Sequence, residues 1–82
     1  MGDIKVTKDC YLPYEQVRFY TSYQSHAIQT VVRRLRKEGK VYDLTGGKKI
    51  LAVIFLLSGE VILVSTSPDT LAGRRGAIQK KG

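Results

Sequence analysis

The chain has 82 residues, with 14 Lys and Arg against 7 Asp and Glu, giving a formal net charge of +7 and a sequence that is 43% hydrophobic. That is one domain with a small core, and because it buries only about 60–65% of its unfolded surface, self-association would help stabilise it. No apolar run approaches the roughly 18–20 residues that span a bilayer, and one His, one Cys and singly scattered carboxylates argue against an enzyme, a metal site or a cofactor.

Met1-Gly2-Asp3-Ile4-Lys5 opens no signal-peptide core, and Val6 stands where a myristoylation site needs Ser or Thr. Ile4-Lys5-Val6-Thr7 alternates apolar and polar, which predicts a short half-buried strand. Cys10 cannot form an internal disulfide and suits a small apolar filler; the expected location is cytoplasmic. Pro13 lacks the N–H that a central ladder needs. A second strand is expected from Glu15 to Tyr20, with Gln16, Arg18 and Tyr20 on one face and Val17 and Phe19 on the core face.

Ala27, Ile28, Val31, Val32 and Leu35 recur at helical spacing and make one apolar stripe. The hydroxyl of Ser22 or Ser25 can cap the helix, and Gly39 can close it in a left-handed conformation. Arg33, Arg34, Arg36 and Lys37 crowd the last turns, where positive charge complements the helix dipole.

A strand near Lys40–Thr45, a Gly46-Gly47 turn, an apolar strand from Ile50 to Leu57 and a strand from Glu60 to Ser65 read as a three-strand meander. Ser58-Gly59 predicts a two-residue hairpin. Ser67-Pro68-Asp69-Thr70 has the form of a helix start, with Gly73 as the stop. The expected fold class is α+β: a small, mostly antiparallel sheet with one main helix on one face and a short C-terminal helix. Residues 1–75 make the single domain, and 76–82 a basic flexible tail.

Excess positive charge on such a domain points to nucleic acid, and the apolar helix stripe is needed by the sheet rather than by a membrane surface. Lys48-Lys49 carries the strongest signal, because two ammonium groups beside a diglycine lie where backbone amides stay open to a phosphate oxygen. Arg74-Arg75 begins a second basic stretch. Tyr11, Tyr14, Tyr20 and Tyr23 could stack single-stranded bases, but in so small a domain a core or interface role fits better. His26 reads as a surface residue at the helix start.

Ser22 and Ser25, Ile28, Arg36 with Gly39, then Asp43, Thr45, Gly47 and Lys48-Lys49 follow one family pattern. Ala52-Val53-Ile54, Ser58-Gly59, Val61-Ile62-Leu63 and the run from Pro68 to Arg74 continue it. The stretch from Ser22 to Arg74 thus resembles the RemA-type bacterial extracellular-matrix (biofilm) regulators, small DNA-binding proteins. The resemblance implies a ring-shaped homo-oligomer of about eight subunits whose basic rim binds duplex DNA. It carries the family's paired basic residues, normally Arg-Arg, onto Lys48 and Lys49. A further DNA-binding Arg of the family falls on Gln16, and Arg18, expected on the same strand face, can replace it.

Lysine is a point charge where arginine is a two-pronged fork, so Lys48-Lys49 should favour phosphate over base reading. Asp9 to Pro13 replaces a Gly-rich family segment, and Ala27 replaces a Pro. The implied DNA-binding set is therefore Lys48, Lys49, Arg18, Gln16, Arg74 and Arg75. The expected partners are duplex DNA and further copies of the chain, with no membrane and no small-molecule substrate. Two other functions stay open: a single-strand or RNA-binding module using exposed tyrosines, and a structural assembly protein that binds no nucleic acid.

Overall fold

A computed structural model describes residues 3–7 and 10–73. Alternation builds its first element, β1 (Asp3–Thr7), in which Ile4 and Val6 are both buried. β1 pairs antiparallel with β2 (Cys10–Pro13), Ile4 opposite Leu12 and Lys5 opposite Tyr11. No strand was expected there. Pro13 can end β2 because a two-stranded sheet leaves one edge of each strand unpaired, so a missing N–H is tolerated. A 3-10 turn (Tyr14–Gln16) follows, and β3 (Val17–Ser22) starts and ends two residues later than the expected Glu15–Tyr20.

The remaining elements are α1 (His26–Lys37), β4 (Val41–Asp43), β5 (Ala52–Leu56), β6 (Val61–Val64) and a short helix, α2, over residues 68–73. Four strands form one sheet in the order β3-β5-β6-β4, antiparallel except for the parallel pair of β4 with β6. This corrects the expected meander. The physical reason lies in composition: β5 and β6 are apolar on both faces and take the centre, while β4, with Tyr42 and Asp43 exposed, suits an edge. Leu44 N–H donates to the Leu63 carbonyl and Leu51 N–H to the Val64 carbonyl, so residues 45–50 carry the chain from one flank of β6 to the other.

The β5–β6 hairpin is also one residue longer than expected. Leu56 N–H bonds the Glu60 carbonyl and Gly59 N–H bonds the Leu56 carbonyl, closing a loop of Leu57, Ser58 and Gly59. Gly59, at φ 94°, takes the left-handed position that ends such a three-residue turn.

Alternate residues of the two central strands feed two cores. Ala52, Ile54, Ile62 and Val64 pack with Ile4, Val6 and Leu71, so the β1–β2 hairpin and α2 cover one face of the sheet. Val53, Val61 and Leu63 pack with Val32, flanked by Ile28 and Leu35, so α1 covers the other. Along β3 the alternation breaks. Val17 opposes Leu56 and Phe19 opposes Phe55, which makes Arg18 the extra residue of a bulge. Val17 and Tyr20 therefore join the hairpin-side core, while Phe19 stacks on Phe55 with ring centroids 4.6 Å apart. The core face expected for Val17 with Phe19 is not formed.

Neither Ser22 nor Ser25 caps α1 through its hydroxyl. Ser22 Oγ accepts the Gln24 N–H at 3.1 Å, before the helix begins, and Ser25 contributes its backbone carbonyl to the Gln29 N–H. The other end follows expectation: Gly39 sits at φ 73°, its N–H bonds the Arg36 carbonyl, and Lys40 N–H bonds the Leu35 carbonyl. This double closure is the Schellman arrangement. Ser67 caps α2 as predicted, its Oγ accepting the Thr70 N–H at 3.2 Å.

Candidate nucleic-acid interface

The loop that crosses β6 is built by its own side chains. Asp43 Oδ1 accepts both the Thr45 N–H at 3.0 Å and the Thr45 hydroxyl at 2.6 Å. These two bonds, aided by the Arg36 charge, hold the Asp43 carboxyl below its ordinary pKa. Thr45 is buried at 4% exposure, and its carbonyl accepts the Lys48 N–H at 3.1 Å. Gly46 and Gly47, at φ 63° and 87°, are the two central residues of that turn, the paired positive angles of a type I′ turn. The spacing Asp-x-Thr-x-Gly thus has a local cause: it staples the start of the loop and then turns it.

Lys48 and Lys49 leave this turn side by side and exposed. Neither has a carboxylate partner among the described residues. The expected open backbone is narrowed in one respect, because the Lys48 amide is already used by Thr45. What the loop presents to solvent here is therefore the two ammonium groups.

Gln16 and Arg18 are exposed as well, but they lie elsewhere. The Gln16 carbonyl accepts the Leu57 N–H at 2.9 Å, and Arg18 bulges opposite the Phe55–Leu56 end of β5. Lys48-Lys49 approaches the Ala52 end. The two groups thus lie towards opposite ends of β5, whose five residues span about 13 Å at 3.3–3.4 Å per residue. Gln16 belongs to the 3-10 turn and Arg18 to the bulge, so the shared strand face expected for them does not exist. Arg74 and Arg75 lie outside the described residues.

Aromatic residues do not gather on one surface. Tyr14 and Tyr20 pack against the hairpin-side core and Tyr23 against the helix-side core. Tyr11 is exposed on β2, and Tyr42, on the far edge of the sheet, donates its hydroxyl to Glu60 at 3.0 Å. That bond to a carboxylate raises the Tyr42 pKa. Cys10 is half-buried against the hairpin-side core and His26 is exposed at the first position of α1. Among the described residues no three His, Cys, Asp or Glu groups stand close enough to hold a metal ion. No helix among them is long and apolar enough to cross a membrane.

What sequence reasoning missed is the part played by Asp43 and Thr45, whose hydrogen bonds fix the start of the loop that carries the lysine pair. Their signal was present as spacing: an Asp whose carboxylate can reach the amide two residues on, followed by glycines.

These features define a class, a small basic α+β domain with a lysine pair presented on a stapled loop. The chain belongs to the RemA-like family, the extracellular matrix regulatory protein A-like proteins, whose family model matches residues 4–74. A protein of Dehalococcoides mccartyi named "Putative regulatory protein" is 38% identical over 50 residues, 61% of this chain and 52% of that protein. Proteins of the same name from Geobacillus kaustophilus and Synechococcus elongatus are each 40% identical over 53 residues, 65% of this chain and 61% of each relative. The match therefore spans half to three fifths of the length of these relatives. The family and these names are those of regulatory proteins rather than of enzymes.

Proposed function

We propose that this chain is a non-enzymatic DNA-binding regulator or architectural protein that acts as a cytoplasmic ring-shaped homo-oligomer of about eight subunits, its basic rim contacting duplex phosphates. The observation that carries the reading is the Lys48-Lys49 pair, exposed and without a carboxylate partner among the described residues, on a loop fixed by Asp43 and Thr45. A small domain that uses local hydrogen bonds to fix two like charges side by side has a use for them together. Duplex phosphate is the polyanion such a pair fits. Gln16, Arg18, Arg74 and Arg75 complete the proposed contact set.

Self-association is supported by what the sheet leaves open. β3 and β4 are its two edges, and Phe19, Leu57, Tyr11 and Tyr42 are large side chains exposed at 47%, 62%, 58% and 50%. Open edges and apolar surface are the features that partner copies cover. Repetition around a ring turns a weak charge patch into many simultaneous phosphate contacts.

Duplex binding measured over a salt series tests the assignment. Lys48→Ala/Lys49→Ala should weaken binding on all sequences alike and lower the salt slope by up to about 0.9 for each phosphate no longer neutralised. Unchanged affinity and slope in the folded double variant would contradict it.

A further inference from the structure

We propose that the outward ridge of α1, formed by Arg33, Arg34 and Lys37, is a second contact surface for the phosphate backbone of duplex nucleic acid, separate from the Lys48-Lys49 loop. This inference rests on the duplex-binding reading above and extends it to a different element.

The ridge is a cluster that helix stability alone does not call for. α1 contains no carboxylate, and four of its last five residues are cationic. The helix dipole favours positive charge only in the final turn, where Arg34, Arg36 and Lys37 already stand; Arg33 lies before it. Arg33 is spaced i,i+4 from Lys37, and Arg34 is i,i+3 from Lys37, so these like charges repel across one turn. A face that served only solubility would intersperse Glu at those spacings.

Nor is the charge neutralised from outside. Glu38 pairs with Lys40 at 3.5 Å, and Asp43 feels the charge of Arg36. Arg33, Arg34 and Lys37 are exposed and have no carboxylate partner among the described residues. At about 100° per residue they point away from Ile28, Val32 and Leu35, which pack on the sheet.

The dimensions and chemistry of the ridge suit a duplex. Arg33 to Lys37 covers about 6 Å of helix axis, over which a duplex carries roughly three or four phosphate charges. Two guanidinium forks match phosphate oxygens in a way that a lysine pair does not. An anionic membrane would require a broad exposed apolar flank beside the charges, whereas Ile28, Val32 and Leu35 pack with Val53, Val61 and Leu63 and leave only Val31 and the small Ala27 of α1 outside that core.

The ridge and the loop are distinct in space. The Lys40 carbonyl, just past the end of α1, accepts the Val61 N–H at the start of β6, whereas the Lys48-Lys49 loop rejoins the sheet where Leu51 N–H bonds the Val64 carbonyl at its end. A subunit therefore offers phosphate two separate basic surfaces.

The test is equilibrium binding of labelled duplex to the full chain across a salt series, with helicity and oligomer size followed in parallel. Arg33→Gln/Arg34→Gln/Lys37→Gln should lower the salt slope by roughly two to three units, at about 0.9 per neutralised phosphate. Its effect should add to that of Lys48→Ala/Lys49→Ala, as expected for separated sites. Arg33→Lys/Arg34→Lys, which keeps the charge, should keep the slope. If the triple variant assembles poorly, Arg33→Gln alone decides, with an expected drop of about one unit.

A folded triple variant with unchanged slope, alongside a Lys48→Ala/Lys49→Ala variant whose slope falls, would overturn the ridge and leave the loop assignment standing. Loss of binding to phosphatidylserine vesicles with duplex binding intact would assign the ridge to a membrane instead. A wild-type chain that binds no duplex at all would overturn both readings.

Discussion

The Asp43 carboxylate accepts two hydrogen bonds from one residue, and its pKa is lowered because both bonds favour the charged form. A group whose folded pKa lies below its unfolded value stabilises the protein above the ordinary carboxylate range, and the contribution is lost as pH falls through the folded value. Asp43→Ala should therefore cost about 1 kcal/mol at pH 7, below the roughly 1.5–3 kcal/mol of a buried bond to a charged group because the Asp43 carboxylate is exposed to solvent. The difference from wild type should shrink below about pH 4. Urea unfolding at about pH 7 and about pH 3 measures it, and a difference independent of pH would contradict the assignment. Gly47 makes a complementary case. A Cβ there would meet nothing within 4 Å, so at φ 87° the whole penalty of Gly47→Ala is backbone strain, about 1 kcal/mol. That variant removes no charge. It should nevertheless weaken duplex binding, because the lysine pair leaves the turn in a different direction.

At the level of elements, packing depends on which face each residue is given. Leu71 is fully buried on the hairpin-side core although α2 is short. Leu71→Ala should destabilise by about 2–5 kcal/mol, read as a lower urea midpoint, the range for large-to-small changes in a closed core. A cost under about 1 kcal/mol would mean that α2 does not hold its place through that side chain. α1, β5, β6 and the Ser67 cap were legible in the sequence because each is written in local periodicity or in a single capping residue. The order of the strands was not. A diglycine turn with two positive φ angles has the same sequence whether its flanking strands pair or the chain crosses β6, and only the burial of β5 and β6 on both faces decides. The bulge at Arg18 was invisible for a related reason, since strict alternation cannot register one extra residue. It also separates the fates of the candidate site residues. Lys48 and Lys49 sit where their turn signals placed them, while Gln16 and Arg18 lack the shared face that depended on an unbroken strand.

For the whole molecule, the governing property is that its basic groups are distributed rather than pooled. The loop at one end of β5, Arg18 at the other and the ridge of α1 occupy different parts of the surface, and the chain carries a net charge of +7. Like charges held apart in this way limit repulsion within one copy, while repetition in the proposed oligomer would line them up for one extended polyanion. Among the described residues β3 and β4 are the unpaired edges, on opposite sides of the sheet, and in the proposed ring they would be the two different surfaces that join head to tail. The measurement that tests this most directly is competition binding on the native assembly, sized by light scattering, with labelled duplex DNA challenged by single-stranded DNA and RNA at several salt concentrations. A large oligomer that prefers duplex and shows a steep salt slope is the expected result. Binding confined to single strands, or duplex binding by a monomer with a shallow slope, would contradict it.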